Sequence, residues 1–134
     1  MKLLLDTHIL ICALSGSSKL SQRAKEYILN PDNTIYFSVV SLWEIVIKHS
    51  LHPSEMAYTG WDFYTICQKS GFLILPATAE HVLTVESLHR PADAPAHKDP
   101  FDKLLISQAK TEGMLFLTSD SLLGGYQEEC VTVL

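Results

Sequence analysis

Positive charge is scarce in this chain. Lysine and arginine number 10 against 15 aspartates and glutamates in 134 residues, a net charge of −5. That balance argues against broad electrostatic adhesion to nucleic acid, so a nucleic-acid role would need local basic groups or a bound metal. Cysteine is equally sparse. Cys12, Cys67 and Cys130 are odd in number, far apart and without a C-x-x-C pair, and they read as buried thiols and not as a disulfide frame or zinc site. His8, His49, His52, His81, His89 and His97 show no H-E-x-x-H or other zinc spacing, which leaves most of them as surface or structural residues. A glycine-rich turn is missing after the first apolar run, where Asp6-Thr7-His8-Ile9 stands instead, and a nucleotide-binding module would want one. Long apolar runs are missing too. Met1-Lys2-Leu3-Leu4-Leu5 opens briefly like a signal peptide, but Asp6 and His8 interrupt it and no small-residue cleavage site follows. A cytoplasmic chain without a membrane partner is expected.

What is present suits one globular domain, residues 1–134, long enough for a real core. Strands are expected at Leu3–Leu5, Thr34–Ser38, Phe72–Leu75, Leu115–Leu117 and Val131–Val133. Helices are expected at Ser21–Leu29 with a serine cap, Ser41–His49, about Thr59–Lys69, Ala79–Leu88 and Pro100–Glu112, with Gly113 as terminator. His89–Lys98, which contains Pro91 and Pro95, reads as a loop. Strands separated by helices imply a parallel sheet covered on both faces.

Four acids follow apolar runs or sit just beyond them. They are Asp6 after Leu3-Leu4-Leu5, Glu44 beyond the run ending Val39-Val40, Asp102 ahead of Leu104-Leu105-Ile106, and Asp120 after Leu115-Phe116-Leu117. In open α/β sheets ligands bind at the carboxyl ends of the strands, so four carboxylates at that rim would make a metal site. Two carboxylates about 4 Å apart repel by roughly 4 kcal/mol at an effective dielectric near 20, against a domain stability of about 5 to 15 kcal/mol. Either some stay protonated or a divalent cation joins them, and hard oxygen ligands select Mg²⁺ or Mn²⁺.

Each acid also has a plainer role. Asp6 suits the N-cap of a segment beginning at His8 or Ile9. Ser41-Leu42-Trp43-Glu44 fits a capping box, although Trp43, Ile45, Val46 and Ile47 surround Glu44 with apolar neighbours that suggest a place beside the core. Asp99 is a good N-cap before Pro100 at the first helical position, and Asp102 gains from the helix dipole. Asp120 in Thr118-Ser119-Asp120-Ser121 suits a strand-end turn. Lys48, four residues after Glu44, serves either a phosphate or an ordinary helix pair. His89, Arg90, His97, Lys98 and Lys103 make the most basic stretch, diluted by Asp93, Asp99 and Asp102, and it reads as a guide for nucleic acid or as a solvated loop and helix start. Phe101 and Trp43 read as core anchors before base-stacking platforms.

The joint arrangement resembles a known family. Leu4-Leu5-Asp6-Thr7-His8, then Ser41-Leu42-Trp43-Glu44-Ile45 with Lys48, then His97-Lys98-Asp99-Pro100-Phe101-Asp102-Lys103-Leu104-Leu105-Ile106-Ser107-Gln108-Ala109, then Leu117-Thr118-Ser119-Asp120 are similar to the PIN-domain ribonucleases, and within them to the VapC-type toxins of toxin-antitoxin pairs. The resemblance spans nearly the whole chain, and its most specific block is the helix opening H-K-D-P-F-D.

It implies a three-layer α/β/α PIN-like fold around a mainly parallel sheet, and Mg²⁺- or Mn²⁺-dependent cleavage of RNA phosphodiester bonds to a 5′-phosphate and a 3′-hydroxyl. Asp6, Glu44 and Asp102 match the family's acidic triad and Asp120 its more variable fourth position, all as metal ligands, with Asp99 a further candidate. Thr7, Ser119, Lys48 and Lys103 are candidates for the substrate phosphate. Lys103 stands where this subgroup commonly has arginine, so a bidentate clamp is lost there. The implied partners are an RNA substrate, a cognate VapB-type antitoxin and a second copy in a homodimer. A non-enzymatic interaction domain keeping the PIN fold is the alternative. Phosphatases that place an aspartate after the first strand need a partner acid two residues on, where His8 stands. A receiver domain needs a phosphoacceptor after its central strand, and Phe72–Leu75 ends in Pro76.

Overall fold

The computed structural model describes all 134 residues. Five strands, β1 (Lys2–Leu5), β2 (Thr34–Ser38), β3 (Leu73–Leu75), β4 (Leu115–Thr118) and β5 (Val131–Val133), alternate with six helices, α1 (Thr7–Ser15), α2 (Gln22–Leu29), α3 (Val39–Leu51), α4 (Gly60–Lys69), α5 (Ala79–Thr84) and α6 (Pro100–Glu112). The sheet order is β3-β2-β1-β4-β5 and every pairing is parallel. Chain order therefore runs outward on both sides of β1, and the switch point lies between β1 and β4, where a crevice opens at the carboxyl ends of the strands.

The period of two along each strand divides the core. Leu3 and Leu5 of β1, Ile35 and Phe37 of β2 and Leu117 of β4 meet Ile9 and Leu10 of α1, Ile45 of α3 and Phe63 and Cys67 of α4 on one face. Leu4 of β1 and Phe116 of β4 meet Leu105, Ile106 and Ala109 of α6 on the other. The three leucines of β1 are wholly buried, each worth about 1.5 to 3 kcal/mol of transfer free energy. An all-apolar strand of this kind belongs at the centre of a covered parallel sheet. The result is a three-layer α/β/α sandwich.

Several local expectations change. The segment after Asp6 is a full helix, α1, closed by Gly16 at φ 66°. α3 starts at Val39 and not at Ser41, because Ser38 at the end of β2 is already its cap, accepting from the Val40 N–H at 2.9 Å. Ser41 is therefore inside the helix and buried, and the capping box with Glu44 does not form. The expected helix Ala79–Leu88 ends at Thr84 and continues as a 3₁₀ turn, Val85–Ser87. A second 3₁₀ turn, Ser121–Gly125, follows β4. Trp43 is no core anchor: it is 58% exposed, and its ring meets Phe101 edge-on with centroids 5.2 Å apart. No helix is long and apolar enough to cross a membrane.

Candidate active site at the switch point

Asp6 is fixed from three directions. It leaves β1 in extended conformation and caps α1, its Oδ1 accepting from the backbone N–H groups of His8 at 2.7 Å and Ile9 at 3.2 Å. Its Oδ2 accepts from the Thr118 hydroxyl at the end of β4. Asp6 is only 6% exposed, and burial raises its carboxyl above the usual range, opposed first by the Thr118 bond and then by the two backbone donors.

Glu44 enters from the second turn of α3. Thr7 Oγ1 lies 2.9 Å from its Oε1 and 2.9 Å from Ser41 Oγ. An ionised carboxylate only accepts, so the Thr7 hydroxyl donates to Glu44. Glu44 Oε2 pairs with Lys48 Nζ at 3.1 Å. The plain reading of Lys48 as a helix pair thus holds, and Lys48 faces the cleft as well.

Helix α6 brings two more acids. Asp99 is its N-cap, with Oδ1 accepting from Phe101 N–H at 2.9 Å and Asp102 N–H at 3.4 Å, and Pro100 fills the first position, which has no amide proton to satisfy. Asp102, in the first turn, is pushed up to about 7 by burial and then by the negative charges of Asp99, Asp6, Glu44 and Asp120. The side chain still keeps about a fifth of its surface exposed, so the carboxylate is crowded and not sealed. Asp120 caps the turn Ser121–Gly125 through Leu122 N–H at 2.9 Å and donates its own N–H to Thr118 Oγ1 at 3.1 Å.

One cleft of about 270 Å³ is lined by Asp6, Glu44, Asp99, Asp102 and Asp120 together with Thr7, His8, Ile11, Lys48 and Ser119. Every acid singled out from the sequence reaches it. Lys103 does not line it. Positioning residues that sequence reasoning missed lie just behind it. The Thr118 hydroxyl joins Asp6 to Asp120, and its signal was a polar residue closing an apolar strand. His97 Nε2 stands 3.3 Å from Asp102 Oδ2, and its Nδ1 stands 2.6 Å from the Tyr126 hydroxyl. The motif H-K-D-P-F-D begins with this histidine, but nothing local showed which way its ring turns. Burial, and next the Arg90 guanidinium, hold the His97 ring below the ordinary imidazole range.

The donor set fits a hard divalent cation: five carboxylates and two hydroxyls offer oxygen, His8 adds a single imidazole, and Lys48 offsets part of the charge. As the side chains stand, no three His, Cys, Asp or Glu groups are drawn together tightly enough to enclose an ion. Asp6, Glu44 and Asp102 are turned onto protein donors instead. Burial raises Asp102 most, and the negative charges of Asp99, Asp6, Glu44 and Asp120 add to the rise; a cation in the cleft would reverse the sign of that second contribution.

The sequence profile of the PIN domain matches residues 3–125, and the chain belongs to the PIN-domain family. Its fold is similar to that of VapBC2 from Rickettsia felis bound to a promoter DNA fragment, with TM-score 0.69 and 17% identity over 100% of this chain and 98% of that one. DNA-bound VapBC from Salmonella typhimurium is similar at TM-score 0.62 and 16% identity, over 100% and 97% of the two chains. A toxin-antitoxin complex from Klebsiella pneumoniae is similar at TM-score 0.61 and 18% identity, over 97% and 95%. At such identities the likeness concerns the fold. No curated protein matches the chain significantly.

Proposed function

We propose that this protein is a Mg²⁺- or Mn²⁺-dependent endoribonuclease and the VapC-type toxin of a toxin-antitoxin pair. The observation that carries the ribonuclease reading is the meeting of Asp6, Glu44, Asp99, Asp102 and Asp120 in one cleft at the switch point. The toxin reading is supported by the full-length likeness to chains from VapBC and other toxin-antitoxin complexes.

Asp6, Glu44 and Asp102 would hold the metal, with Asp120 serving a second or weaker position. Asp99 lines the same cleft and adds negative charge while capping α6. When bound, the metal lowers the pKa of a water and stabilises charge on the attacked phosphate. Asp102 must lose its proton to act as a ligand, so protons compete for the site below about pH 7. Thr7 orients Glu44, and Ser119 at the rim offers a hydroxyl to a phosphate oxygen. Lys48, once it releases Glu44, presents its ammonium to the RNA backbone. The acidic cleft also suits a basic side chain from a VapB-type antitoxin, which would fill it in place of metal and substrate.

Incubation with RNA in Mg²⁺ or Mn²⁺, and in chelator, tests the activity. Internal cleavage leaving 5′-phosphate and 3′-hydroxyl ends, only with metal, is expected. Intact RNA under every condition would favour the non-enzymatic interaction domain.

A further inference from the structure

The loop before α6 and the turn after β4 together build a support for Asp102 that the metal-site assignment leaves unused. His97 keeps only about one-twentieth of its side-chain surface exposed, and Tyr126 is 7% exposed. Their rings meet at right angles with centroids 5.4 Å apart. Once ionised, as metal ligation requires, Asp102 can only accept, so the hydrogen between it and His97 then belongs to Nε2. The neutral ring then carries its lone pair on Nδ1, and the Tyr126 hydroxyl, 2.6 Å away, must donate to it. Tyrosine thereby selects the one tautomer that donates to the carboxylate.

Tyr126 is itself held. The Arg90 guanidinium lies 4.8 Å over its ring centroid and is anchored by bonds to the carbonyl oxygens of Pro95, at 2.9 and 2.6 Å, and of Leu122, at 2.9 Å. A side chain at Gly125 would strike that guanidinium at 2.6 Å, so the turn accepts only glycine unless Arg90 moves. Both Arg90 and His97 come from the long loop ahead of α6, and Tyr126 comes from beyond β4. Two segments distant in sequence thus meet behind one carboxylate oxygen, which His97 alone contacts.

We infer that His97 is the positioning residue of Asp102: held in its Nε2–H tautomer by Tyr126 and Arg90, it sets the orientation in which Asp102 presents its other oxygen to the metal. The inference rests on the metal-site reading above. Hydrogen-bonded partners behind a ligand typically govern about 10- to 100-fold of metal affinity.

Mn²⁺ titration followed by electron paramagnetic resonance at pH 8.5, together with imidazole ¹⁵N spectra of the metal-free parent, tests it without reference to cleavage. The parent should bind Mn²⁺, and His97 should show a protonated Nε2 and an accepting Nδ1. His97→Ala should weaken Mn²⁺ binding about 10- to 100-fold. His97→Gln, whose amide reaches the Nε2 position, should recover most of that loss, and Tyr126→Phe should fall between. Glutamine no better than alanine, alanine binding like the parent, or an Nδ1–H tautomer would each overturn the positioning role. A parent that binds no Mn²⁺ would overturn the metal reading and this inference together, whereas a parent that binds while the variants match it overturns only the inference.

Discussion

Thr118 and Asp6 close the switch point: the hydroxyl ending β4 donates to the carboxylate that follows β1, across 112 positions of sequence. The same hydroxyl accepts the backbone N–H of Asp120, so one wholly buried side chain sets the spacing of two site acids. Thr118→Val keeps the shape and the β-branch but strands an oxygen and an amide. Loss of a hydrogen bond to a charged group costs about 1.5 to 3 kcal/mol. Urea titration of Thr118→Val should show a loss of that order, and Thr118→Ser should restore most of it.

Stability without metal should fall as pH rises. The folded protein holds the Asp102 proton up to about pH 7 and also raises Asp6, while an unfolded aspartate releases its proton near 3.9. Between those values the folded state binds more protons, so the stabilisation is complete below about 4 and lost as pH passes 7. In chelator at pH 8, Asp102→Asn should melt higher than the parent, less the helix-dipole contribution of about 0.3 to 1 kcal/mol. With saturating Mg²⁺ the advantage should shrink or reverse, because metal binding stabilises the parent. A variant that melts lower in chelator would mean that Asp102 is chiefly a helix-end residue.

Lys48 offers a separation of structural from substrate roles. Its pair with Glu44 is a half-exposed i,i+4 contact, worth about 0.3 to 0.5 kcal/mol in such settings. With Mg²⁺ saturating the cleft, Lys48→Met should therefore leave the melting temperature nearly unchanged. RNA binding, measured as a function of salt, should weaken and lose about one unit of its logarithmic salt slope. An unchanged slope would assign Lys48 to the helix alone.

The acids and the sheet were legible because their determinants are local. Three consecutive leucines before Asp6 announce a central strand, and Asp99-Pro100 carries the cap and first position of α6 in two residues. The start of α3 was misread because Ser38 both ends a strand and caps a helix, a double duty that spacing does not show. Residue type alone places Trp43 in the core, whereas Trp43 and Val46 are both exposed on α3, with Phe101 of α6 against the Trp43 ring. Thr118, His97 and Tyr126 could not be read as partners, since their contacts join segments that only the finished sheet brings together.

Toxicity should follow from the cleft. Expression of the chain alone is expected to arrest growth, a small protein encoded beside it to relieve the arrest, and Asp6→Asn to remove it. Normal growth with soluble, metal-active protein would defeat the toxin reading and leave the ribonuclease one standing.

The most direct measurement is single-turnover cleavage of an RNA in saturating Mg²⁺ by the parent, Asp6→Asn and Asp102→Asn, each shown to be folded by its melting curve. The amide keeps the shape of the side chain and removes the ligand charge, so both variants should lose at least about 2.7 kcal/mol of transition-state stabilisation, a hundredfold in rate. Cleavage by either folded variant at the parent's rate would contradict the assignment of this cleft as a metal-dependent nuclease centre.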